Sequence, residues 1–324
     1  MASGYGMKGH FMVARQNSFG TSNTSSLEAV PIISETLNYS IENLQQQGMY
    51  SRFTESPYQQ GANLIQGDVN FELQPSTLGF FLNSVVGSDR VASAAPWFAH
   101  NYDSLMTEDF DEYSAQHPYT AEVYTGVGSA AVLYDLCGDS LSLSFANNQI
   151  AQGTCSFIGA GFTRKAPSSP VYDSDAPLNW SQSCLQIAGA NVIDVNDLNI
   201  TISNNLEPRY VLRQSKWPYR IKRSGFQTVE LDGTLTFAAH SYWQQWESGA
   251  QSLWQIDINK FNDGSAAHPD RFLMSIPQVR FKTFNVNIAG PGVIEATFTA
   301  QGLLDVASNY TTSFVIQNSR AIPY

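Results

Sequence analysis

The stretches Gly67-Asp-Val-Asn-Phe71 and Gly233-Thr-Leu-Thr-Phe237 decide how this 324-residue sequence folds. Both begin with glycine, alternate polar and apolar residues, and end on phenylalanine. Alternation with a period of two predicts a β-strand that buries one face. Because their neighbours recur in the same order, we interpret the chain as one β-rich unit written twice.

The neighbouring patterns support this duplication on both sides of the two strands. Upstream, Leu37-Asn-Tyr-Ser-Ile-Glu42 returns as Leu198-Asn-Ile-Thr-Ile-Ser203, at an offset of 161 (198 − 37). Downstream, each strand precedes a helix-like segment, residues 76–86 in the first copy and 241–254 in the second. A hairpin pattern, Leu141-Ser-Leu-Ser-Phe145 with residues 150–159, returns as Phe284-Asn-Val-Asn-Ile288 with residues 293–302, at an offset of 143 (284 − 141).

The offsets also define the organisation of the chain. Their drop from 161 to 143 predicts an acidic insertion in the first copy, near residues 89–120. Prolines and serines mark a linker at residues 165–183. We therefore predict a first domain at 1–164, with an N-terminal arm and the insertion, and a second domain at 184–324.

Composition narrows the class of protein. Hydrophobic residues make up 43% of the chain and charged residues only 14%, a mixture that favours strands and turns over helices. The net charge of −11 is carried almost wholly by the range 1–164, which holds five basic and fifteen acidic side chains. An acidic chain is a poor ligand for phosphates, so a role in gripping nucleic acid is disfavoured. No apolar run is long enough to span a membrane, and membrane association is not expected.

The sequence carries no pattern that predicts catalysis. The three cysteines form neither a disulfide framework nor a zinc site, and no pair of the five histidines has metal-ligand spacing. The acidic run Glu108-Asp-Phe-Asp-Glu112 lacks the spacing and the glycine of a calcium loop. Phosphate loops and nucleophile elbows are absent as well. We predict a structural protein that is not an enzyme and has no cofactor and no metal.

The sequence resembles the tail tube (major tail) proteins of long-tailed bacteriophages, in a tandem two-domain form. The resemblance starts at Ser18-Phe-Gly20 and Val30-Pro-Ile-Ile-Ser-Glu35. It continues through Gln66-Gly-Asp-Val-Asn-Phe-Glu-Leu-Gln-Pro75 and Leu78-Gly-Phe-Phe-Leu82, and the hairpin from Asp139 to Gly159 also fits.

The resemblance implies a fold and an assembly. Each domain would be a β-sandwich with a short flanking helix and a long hairpin that contributes to an oligomeric β-barrel. Two domains per chain would give a trimeric ring that mimics six domains, although a hexamer stays open. Stacked rings would form the virion tail tube, assembled in the host bacterial cytoplasm. Its partners would be further copies, other tail proteins at the tube ends, and genomic DNA that passes without specific binding.

Two sets of residues are candidates for function. Glu42, Glu55 and Gln59 lie in the long polar segment of the first copy, residues 37–69, and are candidate lumen-facing residues, since acidic and neutral side chains do not retain DNA. The corresponding polar segment of the second copy, residues 198–235, contains a basic excursion, and opposite charges favour its contact with the acidic first domain of a neighbouring subunit. This candidate interface consists of Arg213, Lys216, Arg220, Lys222 and Arg223, for which nucleic-acid contact is the alternative.

Two other functions remain open from the sequence. One is a different ring-forming component with the same domain, such as a tail-end adaptor or a tube-like secretion subunit. The other is a carbohydrate-binding β-sandwich, in which tryptophans such as Trp243 and Trp246 would stack on sugars. Their spacing of three in a helix-like segment favours packing against the core instead.

Overall fold

A computed structural model describes residues 6–45, 48, 54, 58–87, 89–94, 97–105, 117–238, 240–260, 270–288 and 290–324. The strands of the first half are β1 (His10–Arg15), β2 (Glu28–Ala29), β3 (Ser34–Glu35), β4 (Asn38–Gln45), β5 (Tyr58–Glu72), β6 (Arg90–Ala94), β7 (Trp97–Leu105), β8 (Tyr119–Tyr124), β9 (Ala130–Ala146), β10 (Gln152–Gly159) and β11 (Gly161–Lys165).

The second half has a corresponding set of strands. They are β12 (Ser183–Ile187), β13 (Ala190–Val192), β14 (Val195–Ser203), β15 (Leu206–Arg209), β16 (Arg220–Arg223), β17 (Thr228–Thr236), β18 (Ser252–Asn259), β19 (Arg271–Val286), β20 (Glu295–Leu303) and β21 (Tyr310–Asn318). The α-helices are α1 (Leu78–Val85) and α2 (Ser241–Ser248), and short 3-10 turns cover Gly6–Lys8 and Trp180–Gln182.

Eight strands form one continuous antiparallel sheet, which we call the shared sheet. Its order is β4-β5-β10-β9 from the first half and then β14-β17-β20-β19 from the second. The halves meet at the pairing of β9 with β14, which runs from Asp197 opposite Ala146 to Ser203 opposite Ser140. The halves are therefore joined by backbone hydrogen bonds of one sheet as well as by the linker.

A second sheet turns each half into a sandwich. In the first half its order is β2-β1-β8-β9-β11, and in the second half it is β13-β12-β18-β19-β21. The 17-residue β9 and the 16-residue β19 are long enough to run through both sheets of their half. Alternating apolar side chains from both layers pack between the sheets as a large core. The prediction of a mainly β chain with sandwich layers and short flanking helices is confirmed.

The repeat read from the sequence extends to the register of the strands. In the first half, the pairing of β9 with β10 skips Asp139 between Ser140 and Gly138. In the second half, the pairing of β19 with β20 skips Lys282 between Thr283 and Phe281. Asp139 and Lys282 are related by the offset of the hairpins, since 282 − 139 is again 143. A β-bulge at the same repeat position is a feature that common ancestry preserves and chance seldom produces.

The two helices are at equivalent positions but differ in burial. Every residue of α1 is buried, whereas no residue of α2 is. The sequence predicted the second helix to continue to Trp254, which is wrong. The helix ends before Gly249, whose φ of 66° is the left-handed conformation that terminates helices, and Trp254 lies in β18.

The linker and the insertion are both integrated into the fold. Linker residue Leu178 is fully buried, and its backbone bonds Leu73 and Ala151 of the first half. In the insertion, β6 and β7 form a hairpin, and β7 pairs with β21 of the second half. The insertion thus extends the second sheet of the other half. Its acidic run, Glu108 to Glu112, lies outside the described residues.

Candidate functional site

The first candidate surface is the face of the shared sheet that points away from the sandwich cores, which we call the polar face. Cross-strand side-chain bonds identify its members. Asn70 Oδ1 accepts a bond from Thr154 Oγ1 at 2.7 Å, and Asp68 Oδ1 accepts one from Ser156 Oγ at 2.6 Å. Further along the sheet the bonded pairs are Ser142 with Thr201, Asn199 with Asp232, and Thr283 with Thr299. Alternation leaves serine, threonine, asparagine and glutamine as the typical residues of this face.

The charge of the polar face is acidic. In the part of the chain that the structure describes, its carboxylates outnumber its basic side chains, Arg280 and Lys282. Both basic residues lie on the edge strand β19, and Lys282 Nζ is 2.6 Å from Glu230 Oε1. The carboxylates that alternation places here include Asp68, Glu72, Glu230, Asp232 and Glu295.

Two of the three candidate lumen-facing residues lie at the β4 end of this face. Glu42 is an exposed residue at the irregularity between Ile41 and Asn43, where β5 carries one extra residue. Gln59 is exposed opposite Leu44, which follows Glu42 on the same side of β4 by alternation. Glu55 lies outside the described residues. That these side chains face a lumen stays a prediction.

The basic excursion, residues 204–227, folds back onto the first half of its own chain. The Lys216 carbonyl accepts a bond from Asn63 N at 2.9 Å, and Lys216 Nζ donates to Gln60 Oε1 at 2.8 Å. The Trp217 ring stacks on Tyr39 with centroids 5.2 Å apart. Arg213 donates to the carbonyls of Trp217 and Pro218, while the guanidinium groups of Arg213 and Arg220 lie over the Tyr219 ring.

A small apolar cluster seals this contact. Near one end of the polar face its pattern becomes apolar, at Cys137 and Ile158. Leu206 of β15 and Ile221 of β16 bury these side chains together with Ala160. The basic residues predicted to form an interface therefore flank an apolar contact between the two halves. Lys222 and Arg223 belong to β16 on the same hairpin.

One buried asparagine, which the sequence analysis missed, joins the halves at this point. Asn204 is fully buried, and its Nδ2 donates to the carbonyl of Val85 at 2.7 Å and of Gly138 at 3.1 Å. Its Oδ1 accepts bonds from Arg223 Nη2 at 3.0 Å and Gln227 Nε2 at 2.8 Å. All of its bonding capacity is thus used, as burial of an amide requires. An asparagine between a strand and a polar loop gives no signal in sequence that could distinguish it from a turn residue.

Tyr324 is a second contact that the sequence analysis missed. It follows β21 of the second half, is 1% exposed, and packs edge-on against Phe80 of α1 with centroids 4.9 Å apart. Its hydroxyl is bonded to Asn318 Nδ2 at 2.6 Å and to the carbonyl of Ser76 at 2.9 Å. Burial of the ring raises the pKa of Tyr324 well above its ordinary value. The residue stabilises the position of α1 against the second half.

Glu122 is a fully buried carboxylate whose hydrogen bonds indicate a structural role. It accepts bonds from His10 Nε2 at 2.9 Å, Lys165 Nζ at 2.7 Å, and both the N and the Oγ of Ser168. Burial alone would raise the pKa of Glu122, but these bonds outweigh it and lower the pKa from 4.5 to about 2. The group holds the linker against β8.

No group of three or more His, Cys, Asp or Glu side chains could hold a metal ion in the part of the chain described above. Within the same residues, no helix has both the length and the apolar character needed to cross a membrane.

Comparison with known proteins agrees with the geometry. Residues 6–302 match the family described as phage tail tube protein, which covers both halves and their junction. No match was found among curated proteins. The matched range, the antiparallel sandwich layers and the polar sheet together lead to one conclusion. This chain belongs to the phage tail tube protein family and is a structural component of a bacteriophage virion tail.

Proposed function

We propose that three copies of this chain close a ring whose eight-stranded sheets form one barrel, and that stacked rings form a tube for DNA ejection. Within each chain, residues 1–164 and 184–324 act as two tandem tail-tube domains joined by residues 165–183. The observation that carries the proposal is the continuous shared sheet, in which the second half repeats the strand order of the first.

The polar face is the surface best suited to line such a barrel. The opposite face of the shared sheet is covered by the second sheets and helices, whereas among the described residues the polar face is covered chiefly at its Cys137 and Ile158 end, by β15 and β16. Three chains would supply about 24 strands, more than the roughly 16 at which barrels already enclose an aqueous channel. Closure would also satisfy the strand edges that an open sheet leaves exposed.

The chemistry of the polar face suits a conduit through which DNA passes without being held. DNA affinity comes chiefly from lysine and arginine that replace condensed counterions. The typical side chains here are neutral hydroxyls and amides, and Lys282 is already paired with Glu230. Carboxylates such as Asp68 and Asp232 would repel phosphates, so the lining would favour passage over binding.

The basic excursion has a proposed role at the boundaries between domains. It packs on the first half of its own chain, and the net negative charge of that half favours this contact. We also retain its contact with a neighbouring subunit as part of the proposal. In the tube, other tail proteins would bind the two ends, and assembly would take place in the host cytoplasm.

Electron microscopy of the purified chain tests this function. Rings with threefold symmetry, or stacked rings with a central channel, are the expected result. A monomer that persists at high concentration would contradict the proposal. Copy number in virions separates the second candidate, because a tube subunit is among the most abundant virion proteins, whereas a tail-end adaptor would be scarce. A strong hit in a glycan-binding screen would instead favour the carbohydrate-binding alternative.

A further inference from the structure

The shared sheet ends in two strands whose outer edges pair with no other described strand. At one end β4 pairs with β5 alone, and at the other end the second part of β19 pairs with β20 alone. Apolar side chains are exposed at both ends of the sheet: Ile41 of β4 is 37% exposed, and Ile288, two residues beyond the end of β19, is 80% exposed. Unpaired edges that also expose apolar residues are surfaces suited to strand addition.

Within the chain, an equivalent strand pairing is already formed between the two halves. At the junction of the two halves, β14 pairs with β9, and β14 and β9 are the repeat equivalents of β4 and β19. The central pairs there are Ile200 opposite Leu143 and Thr201 opposite Ser142, with hydroxyl oxygens of the latter pair 3.1 Å apart. This junction therefore supplies both a direction and a register for the unpaired edges.

The repeat offsets convert the register of the β9–β14 pairing into a register for the edges of β4 and β19. The offset of 161 relates β4 to β14, and the offset of 143 relates β9 to β19. The second offset is supported independently by the β-bulge at Asp139 and Lys282. We propose that β4 of one copy pairs antiparallel with residues 283–288 of a second copy, with Ser40 opposite Asn285. This inference rests on the proposed ring and specifies its subunit contact.

The register places every side chain on an appropriate face. On the core side it brings together Leu37 with Ile288, Tyr39 with Val286, and Ile41 with Phe284. Pairs on the polar face would be Asn38 with Asn287 and Glu42 with Thr283. A shift of one residue would move every apolar side chain of the edge to the polar face, so the register is strongly specified.

The same contact would also cover the end of α2, the helix that has no buried residue in the single chain. At the completed junction, Asn204 caps the end of the buried α1 through the carbonyl of Val85. The repeat equivalent of Asn204 is Asn43, which is exposed. In the proposed pairing, Asn43 of the copy that supplies β4 reaches the end of α2 in the copy that supplies residues 283–288; Trp243 and Trp246 of α2 are only half-buried in the single chain. A neighbouring copy would thus complete the burial of α2.

A disulfide between Ser40→Cys and Asn285→Cys tests the register. Directly opposite residues bring their Cβ atoms to about 5 Å, within reach of a disulfide, whereas diagonal neighbours are about 7–8 Å apart. Cys184→Ser removes the half-buried native thiol, while Cys137 and Cys155 are buried. Burial raises the pKa of Cys137 to about 12, so this thiol stays protonated and unreactive.

After mild oxidation of assembled material, we expect a covalently closed three-chain species on a non-reducing gel for the Ser40→Cys/Asn285→Cys variant. The matched control, Ser40→Cys/Asn287→Cys, lies on the same face two positions out of register and should give less than a tenth of that product. If the double variant does not fold, a mixture of the two single variants should give a covalent dimer.

The outcomes separate this inference from the proposed function. Rings that cross-link only in the shifted pair, or that do not cross-link at all, would overturn the register and leave the ring intact. Absence of rings in the unmodified chain would overturn both.

Discussion

The contact between Gly79 and Tyr324 offers a test of how the two halves are held together. A Cβ added at Gly79 would lie 2.2 Å from Cδ2 of Tyr324, far inside van der Waals contact. The ring cannot easily yield, because it is 1% exposed and its hydroxyl is bonded to Asn318 and to the carbonyls of Pro75 and Ser76. Gly79→Ala should therefore force either the ring or α1 to move.

The magnitude follows from two opposing effects. Overpacking a well-packed core costs about 1–3 kcal/mol. Replacing a helical glycine by alanine contributes about 0.5–1 kcal/mol in the opposite direction. We expect Gly79→Ala to lower the free energy of unfolding by about 1–2 kcal/mol.

The effect of Gly79→Ala on the free energy of unfolding should change sign when the Tyr324 ring is removed. Tyr324→Ala costs about 3–5 kcal/mol by itself, as is usual for large buried aromatic side chains. In that background nothing opposes the helical preference, and Gly79→Ala should raise the free energy of unfolding by about 0.5 kcal/mol. Urea unfolding of the unassembled chain, followed by circular dichroism, measures all four corners of this cycle.

A control and a refuting result complete the experiment. Gly290→Ala has nothing within 4 Å of its added Cβ and should change stability by less than about 0.5 kcal/mol. Equal destabilisation by Gly79→Ala in both backgrounds would refute the reasoning, because the effect would then not depend on Tyr324.

Three further predictions concern charge. Glu122→Gln should have a lower Tm than the unmodified chain at neutral pH. Because the folded-state pKa of Glu122 is lowered, this difference in Tm should vanish as the pH falls from 4.5 towards 2. A difference in Tm that does not depend on pH would contradict this prediction. Ser144→Lys/Thr297→Lys adds two cations per chain to exposed positions of the polar face, so tubes should form but bind DNA in a salt-dependent way, measured by filter binding against Ser144→Gln/Thr297→Gln. Charge reversal at Arg213, Lys216 and Arg220 should stop tube assembly seen by electron microscopy, and tubes of normal length would exclude a role for these charges.

The sequence by itself determined the features that repeat along the chain. Period-two alternation predicted the strands around Gly67 and Gly233, and the offsets predicted a hairpin at the end of each half, all of which the structure contains. These features are local, since burying one face of a strand requires only the right residue at every second position. The helix at α1 was predicted to within about two positions for the same reason.

Only the tertiary structure decided which strands meet across the repeat. The pairing of β9 with β14, the addition of β7 to β21 and the folding of the basic excursion onto Asn63 all join residues distant in sequence. Backbone hydrogen bonds between strands do not depend on the identity of the side chains, so alternation alone cannot select the partner of a strand. The sequence thus determined that the chain consists of two β units, and the fold decided that they share one sheet whose two edge strands pair with no further described strand on their outer sides.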